Sequence, residues 1–402
     1  MVDKSLFEFN KLEKQQIADN MKQREAGLSK FAAKDSSAIY DNYVNKDLSY
    51  RTNFGTDVDR ILYNPFYNRF SDKTQVHSFV KNDDITRRAL HMQLVSKIGR
   101  SIGGVLNLNL ELIEAVSIGH DIGHAPFGHK GEDILNKISL SSLNRHFCHN
   151  VHSVRVLEKI TSNKISLQTL DGIVSHNGIF QSKIAPASLN DFASFDKKIE
   201  NCYIGKDFCK TNVANTIEGC LVRICDKLAY IGKDMQDLYK VGLGVKYFSL
   251  KDYGLGVDNP SFLKNTAQNL IKNSLNKNYI ALDECVLEAI KSMQKQNDEI
   301  IYQDKAVIEK YKNLENLFCE IFDLATKDLN KKTDRTFIFK NFFNAPYLKE
   351  YREKFGNKKY ECADVVVDYI ASMTDDYFIE LSDKLNLFTK YNIPKIEYAG
   401  YF

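Results

Sequence analysis

The 402 residues carry 55 Lys and Arg against 52 Asp and Glu, a net charge of +3, and 43% of them are hydrophobic. That balance gives no argument for a dedicated nucleic-acid protein and suits a soluble fold with a sizeable core, as two domains or as one large helical domain with appendages. The eight cysteines include no Cys-x-x-Cys pair, the N-terminus has no apolar h-region, and no run approaches the roughly 18 apolar residues of a membrane span, so a reduced, cytoplasmic protein is expected.

Residues 1 to about 35 read as a polar helix or frayed arm. Arg51 to Lys73 mixes aromatics with Arg51, Arg60, Arg69 and Lys73. Singly these are surface charges; as a group they can form the phosphate side of a pocket, because arginine makes bidentate contacts to phosphate oxygens. Asp83 to about Val105 is a predicted helix with Asp83 or Asp84 as N-cap. Leu90, Leu94, Val95 and Ile98 form its apolar stripe, and His91 lies beside it.

The next predicted helix, Leu108 to His120, leads into the stretch that organises the chain, Ser117-Ile-Gly-His-Asp-Ile-Gly-His-Ala-Pro-Phe-Gly-His129-Lys-Gly-Glu132. Five imidazoles and carboxylates among small and apolar residues make a poor core, since each buried polar group needs a partner. They are well suited to holding a divalent cation beside a proton-transfer group. All nine histidines (77, 91, 120, 124, 129, 146, 149, 152 and 176) fall in this quarter of the chain.

Glu132 to Leu140, His149 to Ser162 and Leu167 to His176 read as short helices, and 184–211 reads as loops. Ile217 to Tyr239 is a strong helix whose buried face is Leu221, Ile224, Cys225, Leu228 and Ile231, with Asp226 and Lys227 at its middle. Beyond Gly254 the pattern predicts helices at about 261–276, 281–298, 301–328, 345–353 and 361–386. Short strands are expected only at Tyr247 to Leu250 and Thr336 to Phe339. The class is all-α.

His91, His120-Asp121 and Asp226, each on its own helix, offer two neutral nitrogens and two anionic oxygens. Such a set offsets a divalent charge and leaves coordination positions open. In this order they resemble the HD superfamily of metal-dependent phosphohydrolases. HDIGHAPFGHKGE is similar to the deoxynucleoside triphosphate triphosphohydrolases (dGTPase-like). DVDRILYNPFYNRFSDKTQV, HNVHSVRV, DKLAYIGKD and DYIASMTDDY follow that family's order, over about residues 50 to 385.

The resemblance implies an HD-domain helical core with extra C-terminal helices and minor strands. Its division would be 1–50 as an arm, 51–245 as the catalytic core, and 246–402 packing on the core and completing the nucleotide pocket. His91, His120, Asp121 and Asp226 match ligands of one divalent ion (Mn, Mg, Fe, Co or Zn). His129 and Glu132 match a catalytic imidazole and its orienting acid, and His124 and His149 match histidines lining the triphosphate. Arg88 and Lys227 match phosphate contacts, and Gln75, Tyr230 and Asp234 match sugar contacts. Tyr230 and Asp234 stand four and eight residues after Asp226, on one helix face.

The expected reaction is hydrolysis of a dNTP to deoxynucleoside and triphosphate by a homo-oligomer, with an allosteric nucleotide or single-stranded DNA as further candidate partners. Two rivals stand beside it. Another HD hydrolase, such as a cyclic-dinucleotide phosphodiesterase, needs the metal ligands but not Tyr230, Asp234 or the His129–Glu132 pair. A nucleotide- or single-strand-binding regulator with a silent site needs neither.

Overall fold

The computed structural model describes residues 7–41, 50–76, 78–240, 253–302, 311–331, 335–357, 359–391 and 397–398. The chain is all-α, and the strands among the described residues are two-residue pairs. β1 (Val80–Lys81) runs parallel to β4 (Glu397–Tyr398), and β2 (Lys183–Ile184) runs antiparallel to β3 (Ile280–Ala281). His77 and the expected strand at Tyr247 to Leu250 lie outside the described residues.

The arm is α1 (Lys11–Ala26), closed at its start by a capping box between Asn10 and Glu13, with no buried residue. α2 (Asn53–Leu62) and α3 (Pro65–Asn68) follow. α4 (Arg88–Val105) packs closely along α5 (Leu110–Gly119). The reason is local: a Cβ on Gly99 would meet Ile113 Cγ2 at 2.8 Å, and one on Gly103 would meet Ile113 Cδ1 at 2.3 Å. Two glycines one turn apart thus let the helices approach, which brings His91 on α4 toward His120 at the end of α5.

α4 departs from expectation in two ways. It starts at Arg88 with Arg87 as an uncapped N-cap, because Asn82 Oδ1 accepts from the Asp84 amide and holds that stretch in a turn. Its inward face is Arg88, His91, Met92, Val95, Ser96, Gly99, Ile102 and Gly103, while Leu90 is exposed. Packing between helices, with glycine on the contact line, overrides the count of apolar side chains.

After α5 the chain turns through Gly123, Phe127 (φ 62°) and Gly128 (φ 57°) into α6 (Gly128–Leu143). α7 (His149–Arg155) continues into a π-helical turn (Val156–Ile160), and α8 (Leu167–Ser175) ends against His176. The stretch expected as loops instead holds α9 (Phe192–Ile204), N-capped by Asp191 and anchored by Phe195 and Cys202, and α10 (Lys206–Thr211). α11 (Ile217–Lys240) packs on α4, α5 and α8, with the five expected apolar residues all buried.

α12 (Asn259–Ser274), α13 (Glu284–Asn297) and a helix at Leu314–Lys331 follow. Thr336 to Phe339 is not a strand. Phe339–Phe343 forms a π-helical turn that buries Phe339, Phe342 and Phe343, an aromatic cluster that a two-sided strand could not cover. The expected 361–386 helix is two, Cys362–Ala371 and Asp375–Lys384, because Thr374 caps the second. This region is tied to the core by Arg155, whose Nε and Nη2 donate to Asp368 Oδ1 and Oδ2 at 2.7 and 2.8 Å, and by the Phe127 amide, which donates to Asp375 Oδ1 at 3.0 Å.

Candidate active site

α4 supplies His91, the end of α5 supplies His120 and Asp121, and α11 supplies Asp226; all four are buried. His91 Nε2 lies 3.0 Å from Asp226 Oδ1, and His120 Nε2 lies 3.6 Å from the same oxygen and 3.7 Å from Asp121 Oδ1. His120 Nδ1 donates to the Ser117 carbonyl at 2.7 Å, so Nε2 presents a lone pair, and that atom has no hydrogen-bond partner. A buried, orphaned imidazole nitrogen beside two carboxylates fits a divalent cation with mixed nitrogen and oxygen ligands. These four residues would hold it, and its chemistry there is neutralisation of phosphate charge.

The electrostatics agree. Burial opposes ionisation of Asp121, but His120 and Arg88 outweigh it and hold the carboxyl well below its ordinary range. Asp226 is likewise held low, against burial, by Lys227, His120 and His91. Both acids are therefore anionic at neutral pH. Arg88 Nη1 donates to Asp121 Oδ2 at 2.5 Å, while its Nε has no partner.

A second group adjoins the first. Glu132 is buried, and its Oε2 accepts from His149 Nδ1 at 2.9 Å and faces His129 Nδ1 at 3.3 Å; its Oε1 accepts from the His149 amide. The His129 side chain is 70% exposed, in reach of a ligand, whereas His149 is buried. Burial opposes ionisation of Glu132, but His149, with the hydrogen bonds from both imidazoles, holds it well below its ordinary range. His124 stacks on His149 (centroids 4.6 Å, planes 17° apart), and neither of its nitrogens has a partner. Burial, Arg88 and His149 keep it neutral.

On the next turns of α11, Lys227 Nζ lies 3.6 Å from Asp226 Oδ2 and 5.7 Å from the centre of the Tyr230 ring. Gln294 Nε2 donates to the Tyr230 hydroxyl at 2.5 Å, and Asp234 is buried on the same face. Gln75 lies by the start of α6, its carbonyl oxygen 3.6 Å from where a Cβ on Gly128 would stand, and its side-chain Oε1 has no partner.

Two of the expected phosphate contacts are not brought to this cluster. Arg60 binds the Lys164 carbonyl and faces Asp57 at 3.9 Å. Arg69 donates to the Ser372 carbonyl and the Tyr347 hydroxyl, both at 2.9 Å. Lys73, grouped with them in the sequence, is buried behind the site, where its Nζ donates to the carbonyls of His124 and Ala371. Sequence reasoning also missed His176, whose Nε2 lies 3.2 Å from His149 Nε2 and 4.0 Å from Asp121 Oδ1. Its membership of the histidine cluster was the available signal.

Residues 88–231 match the HD domain family and residues 280–384 match the phosphohydrolase-associated domain. Fold and site together define an HD-domain phosphohydrolase. The chain is 30% identical over 363 residues to a deoxyguanosinetriphosphate triphosphohydrolase-like protein of Clostridium tetani, covering 86% of this chain and 87% of that one. A protein of the same description from Clostridium perfringens (strain 13 / Type A) is 29% identical, covering 92% and 95%. The chain belongs to this deoxyguanosinetriphosphate triphosphohydrolase-like family. A crystal structure of a hypothetical protein from Aquifex aeolicus aligns over 76% of this chain and 72% of that one, with 18% identity and a TM-score of 0.38. No helix among the described residues is long and apolar enough to cross a membrane.

Proposed function

We propose that the protein hydrolyses a deoxynucleoside triphosphate of the dGTP type to the deoxynucleoside and inorganic triphosphate. The observation that carries this reading is an exposed imidazole, His129, held by a buried carboxylate, Glu132, beside the His/Asp cluster. Water attacks the α-phosphorus, and the bond from that phosphorus to the 5′-oxygen breaks. His129 donates a proton to the departing 5′-oxygen, and Glu132 stabilises the imidazolium before transfer. Arg88, through its free Nε, and Lys227 bind phosphate oxygens, and His124 and His149 line the triphosphate. Tyr230, its hydroxyl fixed by Gln294, lies under the sugar where a 2′-hydroxyl would collide. Asp234 accepts from the 3′-hydroxyl, and Gln75 contacts the sugar. The names of the relatives support the substrate class.

The same reading takes the protein as a cytoplasmic homo-oligomer, with a catalytic core at 51–245 and a C-terminal region that completes the pocket. The Gln294–Tyr230 bond across those parts supports that division.

The test is incubation of the purified protein with Mn²⁺ or Mg²⁺ against each of the four dNTPs and GTP, followed by chromatography. Deoxynucleoside plus triphosphate is the expected product pair, with GTP spared. Diphosphate or monophosphate products would favour another HD hydrolase, and no turnover of any nucleotide would favour a binding protein.

A further inference from the structure

The helix that carries His129 begins without the usual local signals. Its N-cap is Phe127, which makes no side-chain cap bond and stands in the left-handed region at φ 62°. Ser, Thr, Asp or Asn normally fills that position. A left-handed backbone on a residue other than glycine persists only where its surroundings hold it. The hold must come from elsewhere in the chain.

We propose that Asp375 is a positioning residue for His129, and that Lys73 serves with it. Together they pin the two ends of the turn from His124 to Phe127 and so set where the imidazole stands beside the His/Asp cluster. Asp375 opens the Asp375–Lys384 helix and is 2% exposed. Its Oδ1 accepts from the Phe127 amide at 3.0 Å, and its Oδ2 accepts from the Thr74 hydroxyl. Three residues on, Phe378 meets the Phe127 ring edge-on (centroids 5.2 Å, planes 88° apart), while Phe79 stacks on it at 5.3 Å. One helix thus grips Phe127 by its backbone and by its ring. At the other end of the turn Lys73 Nζ donates to the His124 carbonyl, and also to the Ala371 carbonyl at 2.7 Å.

His129 depends on this bracing more than its neighbours do. Its side chain is 70% exposed, so little packing of its own locates it, and it follows Phe127 by two residues. Glu132 is anchored separately, through the His149 amide on α7. A twist at Phe127 would therefore part the imidazole from the carboxylate that holds it. The cluster of His91, His120, Asp121 and Asp226 stands on α4, α5 and α11 and would stay in place. A proton donor must lie within hydrogen-bond reach of the oxygen it serves, so the proton transfer would suffer and metal binding would not. The stretch Asp368 to Tyr377, which has no part in the chemistry proposed above, thereby gains one.

This inference rests on the reading of His129 as proton donor. The test is kcat, KM and Mn²⁺ content of full-length variants with dGTP. Asp375→Ala should lower kcat by roughly 10- to 100-fold, since a misplacement of about 1 Å can cost the upper figure, with metal content intact and KM changed less than kcat. Asp375→Asn, whose amide oxygen can still accept from Phe127, should recover most of the loss; an Asn variant as slow as the Ala one would overturn the proposal. The double variant His129→Ala/Asp375→Ala should be no slower than His129→Ala alone. A further loss by the same factor would make Asp375 merely structural and overturn it as well. Lys73→Met frees the other end of the turn and should show the same pattern, which keeps the test open if Asp375→Ala does not fold. A second measurement needs no substrate. In protein with ¹³C-labelled histidine rings and Mg²⁺, the His129 nuclear magnetic resonance signal, identified by its loss in His129→Ala, should move in Asp375→Ala while that of His91 stays. If neither moves, or both move alike, the proposal fails whatever the substrate. If His129 alone moves and the wild type hydrolyses no dNTP, the proposal stands and the substrate reading fails.

Discussion

Arg88 Nη1 donates to Asp121 Oδ2 at 2.5 Å, both groups being buried. A residue whose sequence position suggests a phosphate contact is therefore also the support of a metal ligand. Removing the guanidinium should do two things at once. Arg88→Ala should weaken Mn²⁺ binding by roughly 10- to 100-fold, the usual cost of losing a group that orients a ligand. It should also raise KM for the nucleotide. Calorimetric titration of metal without substrate separates the two effects: unchanged metal affinity would reduce Arg88 to a phosphate contact alone.

His129 and His149 share one oxygen of Glu132, yet His129 is exposed and His149 is not. His129→Ala should lower kcat by about 10²-fold or more, the usual worth of a positioned acid, and leave metal content intact. Glu132→Gln should lower kcat by a similar factor and also raise KM, because an amide that donates to Nδ1 would turn the His149 ring, which lines the triphosphate, to its other tautomer. KM measured beside kcat tells the variants apart; an equal rise in KM in both would contradict the division of roles.

The turn after His120-Asp121 owes its shape to a glycine. A Cβ on Gly123 would meet the backbone nitrogen of Ser153 at 2.1 Å, and the Ser153 hydroxyl accepts from the Gly123 amide at 2.9 Å and donates to the His120 carbonyl at 2.7 Å. Backbone cannot swing aside as a side chain can. Gly123→Ala should lower stability by about 1–3 kcal/mol, the range for overpacking, and should reduce activity by moving His120 against His149. Gly104→Ala is the control: it stands at an exposed position of α4 with nothing within 4 Å of its added Cβ, and it should stabilise by about 0.5–1 kcal/mol. Denaturant midpoints of the two variants should move in opposite directions.

These residues also show what a sequence can disclose. His120-Asp121 was legible because adjacency fixes the pair whatever the fold does, and Asp226 because its helix has a continuous apolar face. The inward face of α4 was not, since Gly99 and Gly103 mark the contact line but carry no apolar signal. α9 was missed because only Phe195 and Cys202 of its residues are buried. Lys73 and His176 depend on groups brought near by tertiary structure, the carbonyls of His124 and Ala371 for one and the ring of His149 for the other. No local pattern encodes such partners.

Glu218 offers a test away from the active site. Its Oε1 accepts from the amides of Ala33 and Asn109 at 3.1 and 3.0 Å, tying the start of the chain to α5, while its Oε2 is buried without a partner. Burial pushes its pKa from the ordinary 4.5 up to about 7, despite those bonds. Between those values the folded state keeps a proton that the unfolded state has lost, so stability falls as pH rises through the window and levels off above it. At about 1.4 kcal/mol per unit, the loss on reaching pH 7 is about 3 kcal/mol. Asp57, pushed by burial from 3.8 to about 6, adds a slope of the same sign at lower pH. Glu218→Gln keeps the accepting oxygen and removes the titration. It should match the wild type near pH 4.5 and exceed it above pH 7, and the difference between the two curves isolates Glu218 from the other buried groups that titrate, Asp57 and His124 among them. Urea unfolding at pH 5, 6, 7 and 8 measures this, and a variant with the wild-type slope between pH 6 and 7 would show that Glu218 is ionised in the fold throughout.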